Sequence, residues 1–264
     1  NASYEVAEYI IQNAPDQTGL ATDIPNCPLT LAVIGRMEEL LQSLFRAHPG
    51  PMDQGQINQA FQMAIEIGYY PCLEILIDKQ TSKFREDEEP ILMRAVSTFS
   101  PQVASLVMKH NKNEFTKTIQ KTINGKPDIE CFLSRLFFSA SKNPAFKPII
   151  IEALELMENE VIEPKAQIRC RGVCHWLCLL GDVEIAKIVF KNFNVDVNRL
   201  DGNYQSGPYE LIKADKPNEE NVYNMLDFLI EKGFDPTREV IENGVLQQGT
   251  LLEKFVSRSL ALQS

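Results

Sequence analysis

The residues best suited to chemistry in this chain of 264 residues are three cysteines and a histidine close together: Cys170, Cys174, His175 and Cys178. On a helix, Cys174 and Cys178 share a face because they are four residues apart. A zinc ion could in principle bind there. The adjacent Cys174 and His175 would point about 100° apart and cannot form a thiolate–imidazole pair with each other. The alternative, which we favour, is that these cysteines are small core residues.

Other signs of catalysis are missing from the sequence. It contains no glycine-rich phosphate loop, no His-Glu-x-x-His and no Gly-x-Ser-x-Gly. Of the two remaining histidines, His48 lies beside Pro-Gly and His110 ends a predicted helix, where a cation favours the dipole. Six scattered cysteines without a visible export signal indicate reduced thiols in the cytoplasm. We therefore expect no catalytic residues, no cofactor and no metal.

Charge and hydropathy limit the classes of partner. Lysine and arginine total 26 against 36 aspartates and glutamates, a formal net charge of −10. This excess opposes nonspecific nucleic-acid binding, which needs clustered cations. No uninterrupted apolar run of about 18 residues is present, so membrane insertion is not expected. We therefore expect a monomer that neither binds nucleic acid nor enters a membrane.

An apolar stretch that ends in charge recurs along the chain and indicates a repeat. The residues that we take as equivalent are Phe45, Ile77, Met108, Met157, Phe190 and Ile230. Their successive intervals are 32, 31, 49, 33 and 40 residues. Three of the five lie close to a period of about 33 residues, and the other two fit the same unit with insertions.

Each period contains two short apolar helices separated by a tight turn. In the clearest case, a helix that includes Asn58 leads to Gly68, and a second helix runs from Cys72 to Ile77. Helices of this length are too short to be stable alone in water. A fixed period of such units predicts a stack whose core forms only between neighbours.

These patterns resemble the ankyrin repeat family. The second helix and the finger loop after it are matched by Val183–Phe190 with Val195–Asn198, and by Met225–Pro236. The helix-start position is occupied by Cys27-Pro28-Leu29-Thr30, Val173-Cys174-His175-Trp176, Gly207-Pro208-Tyr209-Glu210 and Gly249-Thr250-Leu251-Leu252. The resemblance covers residues 26–258. It implies that His175 makes a structural hydrogen bond.

The resemblance implies an all-α, ankyrin-type helical-repeat solenoid of about six repeats. We expect an N-terminal helix or cap in residues 1–25, repeats in 26–258 that end in a capping helix over 251–262, and a tail in 259–264. An irregular insertion over 111–143 interrupts the middle, with Asn124-Gly125-Lys126-Pro127 as a turn.

The resemblance also implies a function, namely a protein–protein interaction module without chemistry of its own. A partner protein would bind the concave face, which first helices and finger loops form. The candidate contact residues are Arg169, Arg171, Trp176, Asn203, Tyr204 and Tyr209. Two alternatives remain open: a regulatory or substrate-recruiting domain of a larger enzyme or of a secreted bacterial effector, which would act in the host cytoplasm, and a self-associating helical scaffold.

Overall fold

The computed structural model describes residues 27–47, 52–80, 89–115, 117–123, 126–159, 173–193, 195–200, 206–213, 219–237, 239–242, 245–250 and 253. The chain divides into two units, residues 1–114 and 115–264. Within the described ranges it is mostly helical, with twelve α-helices and two β-hairpins. The predicted cap in 1–25 and the tail in 259–264 lie outside these ranges.

The described part of the first unit contains three helix pairs in two layers. Its helices are α1 (Pro28–Ile34), α2 (Glu38–Ala47), α3 (Gln54–Ile67), α4 (Tyr70–Ile77), α5 (Ile91–Ser97) and α6 (Pro101–His110). The first helices of the pairs contact in the order α1, α3, α5, and the second helices in the order α2, α4, α6. Each first helix also packs on the second helix of its own pair.

The second unit has the same two-layer arrangement, with β-hairpins added. Its helices and strands within the described ranges are β1 (Thr118–Ile123), β2 (Lys126–Cys131), α7 (Phe132–Lys142), α8 (Lys147–Asn159), α9 (Val173–Leu180), α10 (Val183–Asn192), α11 (Gly207–Lys213), α12 (Glu219–Glu231), β3 (Glu239–Glu242) and β4 (Val245–Thr250). One layer runs α7, α9, α11 and the other α8, α10, α12. The hairpin strands pair antiparallel, β1 with β2 and β3 with β4.

The six residues taken as equivalent in the sequence all lie in second helices. Phe45, Ile77, Met108 and Phe190 are each the eighth residue of α2, α4, α6 and α10. Met157 and Ile230 lie late in α8 and α12, which are both 13 residues long. The periodicity therefore located the second helix of every pair in the described ranges.

A left-handed residue separates the two helices in four of the pairs. These residues are Arg36, Gly68, Phe99 and Gly181, with φ of 55°, 70°, 57° and 63°. The first three are 32 and 31 residues apart. Glycine adopts this conformation freely, whereas other residues are strained in it. The same backbone reversal therefore recurs at the period of the sequence.

Polar contacts at these turns also join neighbouring pairs. The Tyr69 hydroxyl, at the start of α4, donates to the carboxylate of Glu38 at the start of α2. In the second unit, Lys147 at the start of α8 binds Asp182, which caps α10, at 2.9 Å. A hydroxyl–carboxylate hydrogen bond in one unit and an ion pair in the other therefore join equivalent positions. In both, the first turn of one second helix is linked to the N-cap of the next.

The predicted insertion over 111–143 is regular in most of its length, contrary to the sequence-based expectation. It contains β1, β2 and α7, and α7 is the first helix of an ordinary pair. Ile123 pairs with Lys126, so two residues join the strands, and Lys126 and Pro127 belong to β2 and not to the predicted turn. Reading every apolar segment at the helical period overlooked the β-branched content of Thr118–Ile123, in which four of six residues are Thr or Ile, a composition that favours a strand.

Two of the four residues predicted to open the C-terminal half-repeat lie in a strand. Gly249 and Thr250 lie in β4, paired against β3, and do not open a helix. Glu253 is helical. The rest of the predicted helix over 251–262 lies outside the described ranges.

The first hairpin is fixed to α7 by a partly buried ion pair. Arg135 Nε and Nη2 donate to the two carboxylate oxygens of Glu130 at 2.8 and 2.6 Å. Glu130 lies in β2 and Arg135 one turn into α7, so this bidentate contact sets the angle at which the strand enters the helix.

We predict that Gly181→Ala destabilises the protein by about 1 kcal/mol. No atom lies within 4 Å of the added Cβ, so the cost arises from the left-handed backbone and not from crowding. Urea unfolding measures it. Gly55→Ala, in the first turn of α3 without a positive φ, is the control: its Cβ would lie 3.3 Å from Asp53 Oδ1, a side-chain atom that can shift, so its effect should be smaller than that of Gly181→Ala. Equal effects of the two substitutions would contradict the left-handed turn.

Candidate protein-binding surface

The first helices share a way of beginning, and it accounts for several buried polar residues. Four polar side chains lie buried at the third or fourth position of their helices: Thr30, Ser134, His175 and Glu210. Thr30 Oγ1 lies 3.0 Å from the Sγ of Cys27, the N-cap of α1. Ser134 Oγ accepts from the Cys131 amide at 3.1 Å, at the start of α7. The Thr30 amide also donates to Cys27 Sγ at 3.4 Å, so the starts of α1 and α7 each have a backbone amide satisfied by a side chain.

The cysteine cluster lies in the core. Cys174 and Cys178 share a buried face of α9, as their spacing predicts. Burial raises the pKa of the Cys178 thiol well above its usual range, and the neighbouring Cys174 and Glu210 raise it further. A protonated, buried thiol is a poor nucleophile and a poor metal ligand. No group of three or more potential ligands that could hold a metal occurs within the described residues, and Cys170 lies outside them.

We predict that the buried thiols react slowly. Burial also raises the pKa of Cys72, to about 11, so at pH 8 both Cys72 and Cys178 are protonated in the folded protein. Iodoacetamide should modify them only after urea is added. Unfolded thiols ionise above about pH 8.5, whereas the folded thiols stay protonated. The free energy of unfolding should therefore be highest below about pH 8.5 and fall as the pH rises toward 11. Rapid labelling of native Cys178 at pH 8 would contradict this assignment.

A glycine allows α11 to approach α9 closely. A Cβ at Gly207 would lie 3.0 Å from the Cys174 carbonyl carbon, 3.0 Å from its Sγ and 3.1 Å from its carbonyl oxygen. Two of these atoms belong to backbone and cannot move aside independently. Gly207 therefore fixes the spacing between two first helices.

We predict that Gly207→Ala destabilises the protein by on the order of 1–3 kcal/mol through overpacking. Thermal unfolding followed by circular dichroism measures the loss. Adding Cys174→Ala should restore only part of it, because the backbone contacts remain. Complete rescue by Cys174→Ala would show instead that only the thiol limits the approach.

The loops after α10 and α12 are connected by one side chain. Asn198 Nδ2 donates to the Gly233 carbonyl at 3.0 Å, and its Oδ1 accepts from the Asp235 amide at 3.2 Å. Asp196 and Asp235 each accept from the amide two residues later, at 3.0 and 2.9 Å. The two loops that the sequence analysis interpreted as fingers therefore begin with the same turn.

An aromatic pair lies on the first-helix layer of the second unit. The rings of Phe138 on α7 and Trp176 on α9 meet edge to face, with centroids 5.9 Å apart and planes at 84°. Phe138 is 42% exposed and Trp176 is half-buried. Lys142, one turn after Phe138, places its Nζ 5.8 Å from the ring centroid of Phe138. We call Phe138, Lys142 and Trp176 the aromatic patch.

The predicted contact residues lie in different environments. Trp176 belongs to the aromatic patch, whereas Tyr209 is only 6% exposed and lies in the core, so it does not serve as a surface contact. Its position in α11 corresponds to that of Leu29 in α1, which is also buried. Four further candidates lie outside the described residues and stay predictions: Arg169, Arg171, Asn203 and Tyr204.

Sequence reasoning missed Phe138 and Lys142. Both fall within the segment interpreted as an irregular insertion, so α7 was not recognised as a first helix. The signal was present: Cys131 and Ser134 have the spacing of Cys27 and Thr30, and Phe138 follows four residues later.

A scan against protein-family models gave no match, and a search of curated proteins gave none either. Among the helices that the structure describes, none is long and apolar enough to cross a bilayer.

Proposed function

We propose that this chain is an ankyrin-type helical-repeat protein whose function is to bind a partner protein, without chemistry of its own. Three observations support the proposal. Six helix pairs lie in two layers within the described parts of the two units. Left-handed residues recur between the helices of four pairs. Buried polar residues recur at the starts of four first helices.

The aromatic patch is the observation that favours binding over a purely structural role. Exposing Phe138 costs hydrophobic free energy that burial against another molecule would recover. Trp and other aromatic residues dominate binding hot spots, because they bury much area at little entropic cost. Since first helices α7 and α9 supply the patch, it lies in the layer that the resemblance assigns to partner binding.

Rigid support for the patch strengthens the proposal. The residues beneath Phe138 on α7, Leu136, Phe137 and Ala140, are buried, and so are Leu177 and Cys178 beneath Trp176 on α9. A preformed surface loses little conformational entropy when a partner binds.

Site-specific photocrosslinking tests the proposal. A benzophenone amino acid at position 138 should capture a protein from an extract of the cells that make this chain. The matched control places it at Tyr223 on α12, an aromatic residue 45% exposed in the second-helix layer of the same unit. We expect an adduct at 138 that Trp176→Ala abolishes, and none at 223.

The affinity for a captured partner measures how much Phe138 contributes to the binding free energy. Phe138→Ala should weaken binding by about 1–2 kcal/mol, whereas Tyr223→Ala should leave it unchanged. Circular dichroism of each variant establishes that the fold is retained. Equal adducts at both positions, or an affinity indifferent to Phe138, would refute the aromatic patch as the binding surface.

A further inference from the structure

We propose that the segment bound by the aromatic patch is acidic, with an apolar side chain next to a carboxylate. This inference rests on the proposed protein-binding function and specifies the chemistry of the partner.

The charges of α7 and α9 carry the argument. Neither helix contains an aspartate or a glutamate. The side chains of α7 that reach solvent are Phe138, Ser141 and Lys142. Arg135, the other cation of α7, is buried and bound to Glu130. On α9, His175 is buried, and the partly exposed residues are Val173, Trp176, Leu179, Leu180. Lys142 is therefore the one exposed charge of this two-helix face.

Lys142 has donors available for a ligand. Its ammonium lies over the ring of Phe138, which engages one side of the group through a cation–π contact. Within the described ranges it makes no salt bridge, and an ammonium has three donors. A carboxylate can bind the side turned away from the ring, where the neighbouring apolar surface excludes water and strengthens the pair.

The apolar half of the ligand follows from the same geometry. The exposed part of Phe138 and the edge of Trp176 form a surface that an aromatic or aliphatic side chain can cover. Lys142 Nζ lies within 6 Å of the Phe138 ring. The carboxylate and the apolar side chain therefore come from residues close together in the partner's sequence, two apart on a strand or three to four apart on a helix, where side chains share a face.

The overall charge of −10 does not overrule this local preference. At physiological ionic strength exposed charges are screened beyond about 8 Å, so the nearest charge dominates. A basic segment would be attracted to the protein as a whole but repelled by Lys142 at this face.

Peptide selection on the intact chain tests the inference. A phage-displayed library of random peptides is selected on the wild-type protein and separately on Lys142→Glu. Selected sequences are then synthesised without tryptophan. Trp176 is the only tryptophan of the chain, so its emission reports binding at the patch directly.

We expect the wild type to select peptides with Asp or Glu two to four residues from Phe or Leu, and these peptides to shift Trp176 emission. Lys142→Glu should weaken their binding by about tenfold or more and select basic peptides instead, whereas Lys142→Arg should retain affinity. A purely structural role for Lys142 would not invert the selected charge.

Failure of the acidic-ligand inference can be distinguished from failure of the proposed binding surface. Peptides that require Phe138 but carry no acidic residue, or that bind Lys142→Glu equally well, overturn the acidic ligand and leave the binding surface standing. Enrichment of basic peptides on the wild type overturns it also. If no peptide that depends on Phe138 is recovered, both this inference and the proposed binding surface fail.

Discussion

Helix length is the constraint on which the rest of this structure depends. The twelve described helices have 7 to 14 residues, and isolated helices of this length are marginal in water. Each gains stability only by burying one face on the neighbours in its layer and another on the helix of its own pair. Close approach between neighbours is therefore essential, and a single glycine at position 207 governs it where α11 meets α9.

The same constraint explains where polar groups lie. A short helix has a large share of unpaired backbone groups at its ends. Cys27, Cys131 and Asp182 supply caps, and buried Thr30 and Ser134 complete the starts of α1 and α7. Because the faces of α7 and α9 that point inward are committed to packing, only their outer positions vary freely. Phe138, Lys142 and Trp176 occupy three of these positions.

The sequence predicted the fold where a local signal coincided with the period. Gly68 ended a first helix as glycine in a left-handed turn should, and the apolar spacing located the second helices. Gly181 carries the same signal, which the sequence analysis did not use. Arg36 and Phe99 adopt the same left-handed conformation without being glycine, so their residue types did not indicate a turn. Phe99 keeps this strained backbone while 48% exposed. The hairpins were missed because two-stranded pairing depends on partner strands, which helical periodicity ignores. Within the proposed binding surface, Trp176 was among the predicted residues, but its partner Phe138 lay in a segment interpreted as irregular.

Hydrogen exchange in Gly207→Ala tests most directly whether neighbouring first helices stabilise each other. The substitution lies in α11, and its added Cβ presses on the backbone of α9 at Cys174. If each helix depends on its neighbours, amides in both α9 and α11 should exchange faster than in the wild type, with α7 affected less. Faster exchange confined to α11, with α9 as protected as before, would contradict the account.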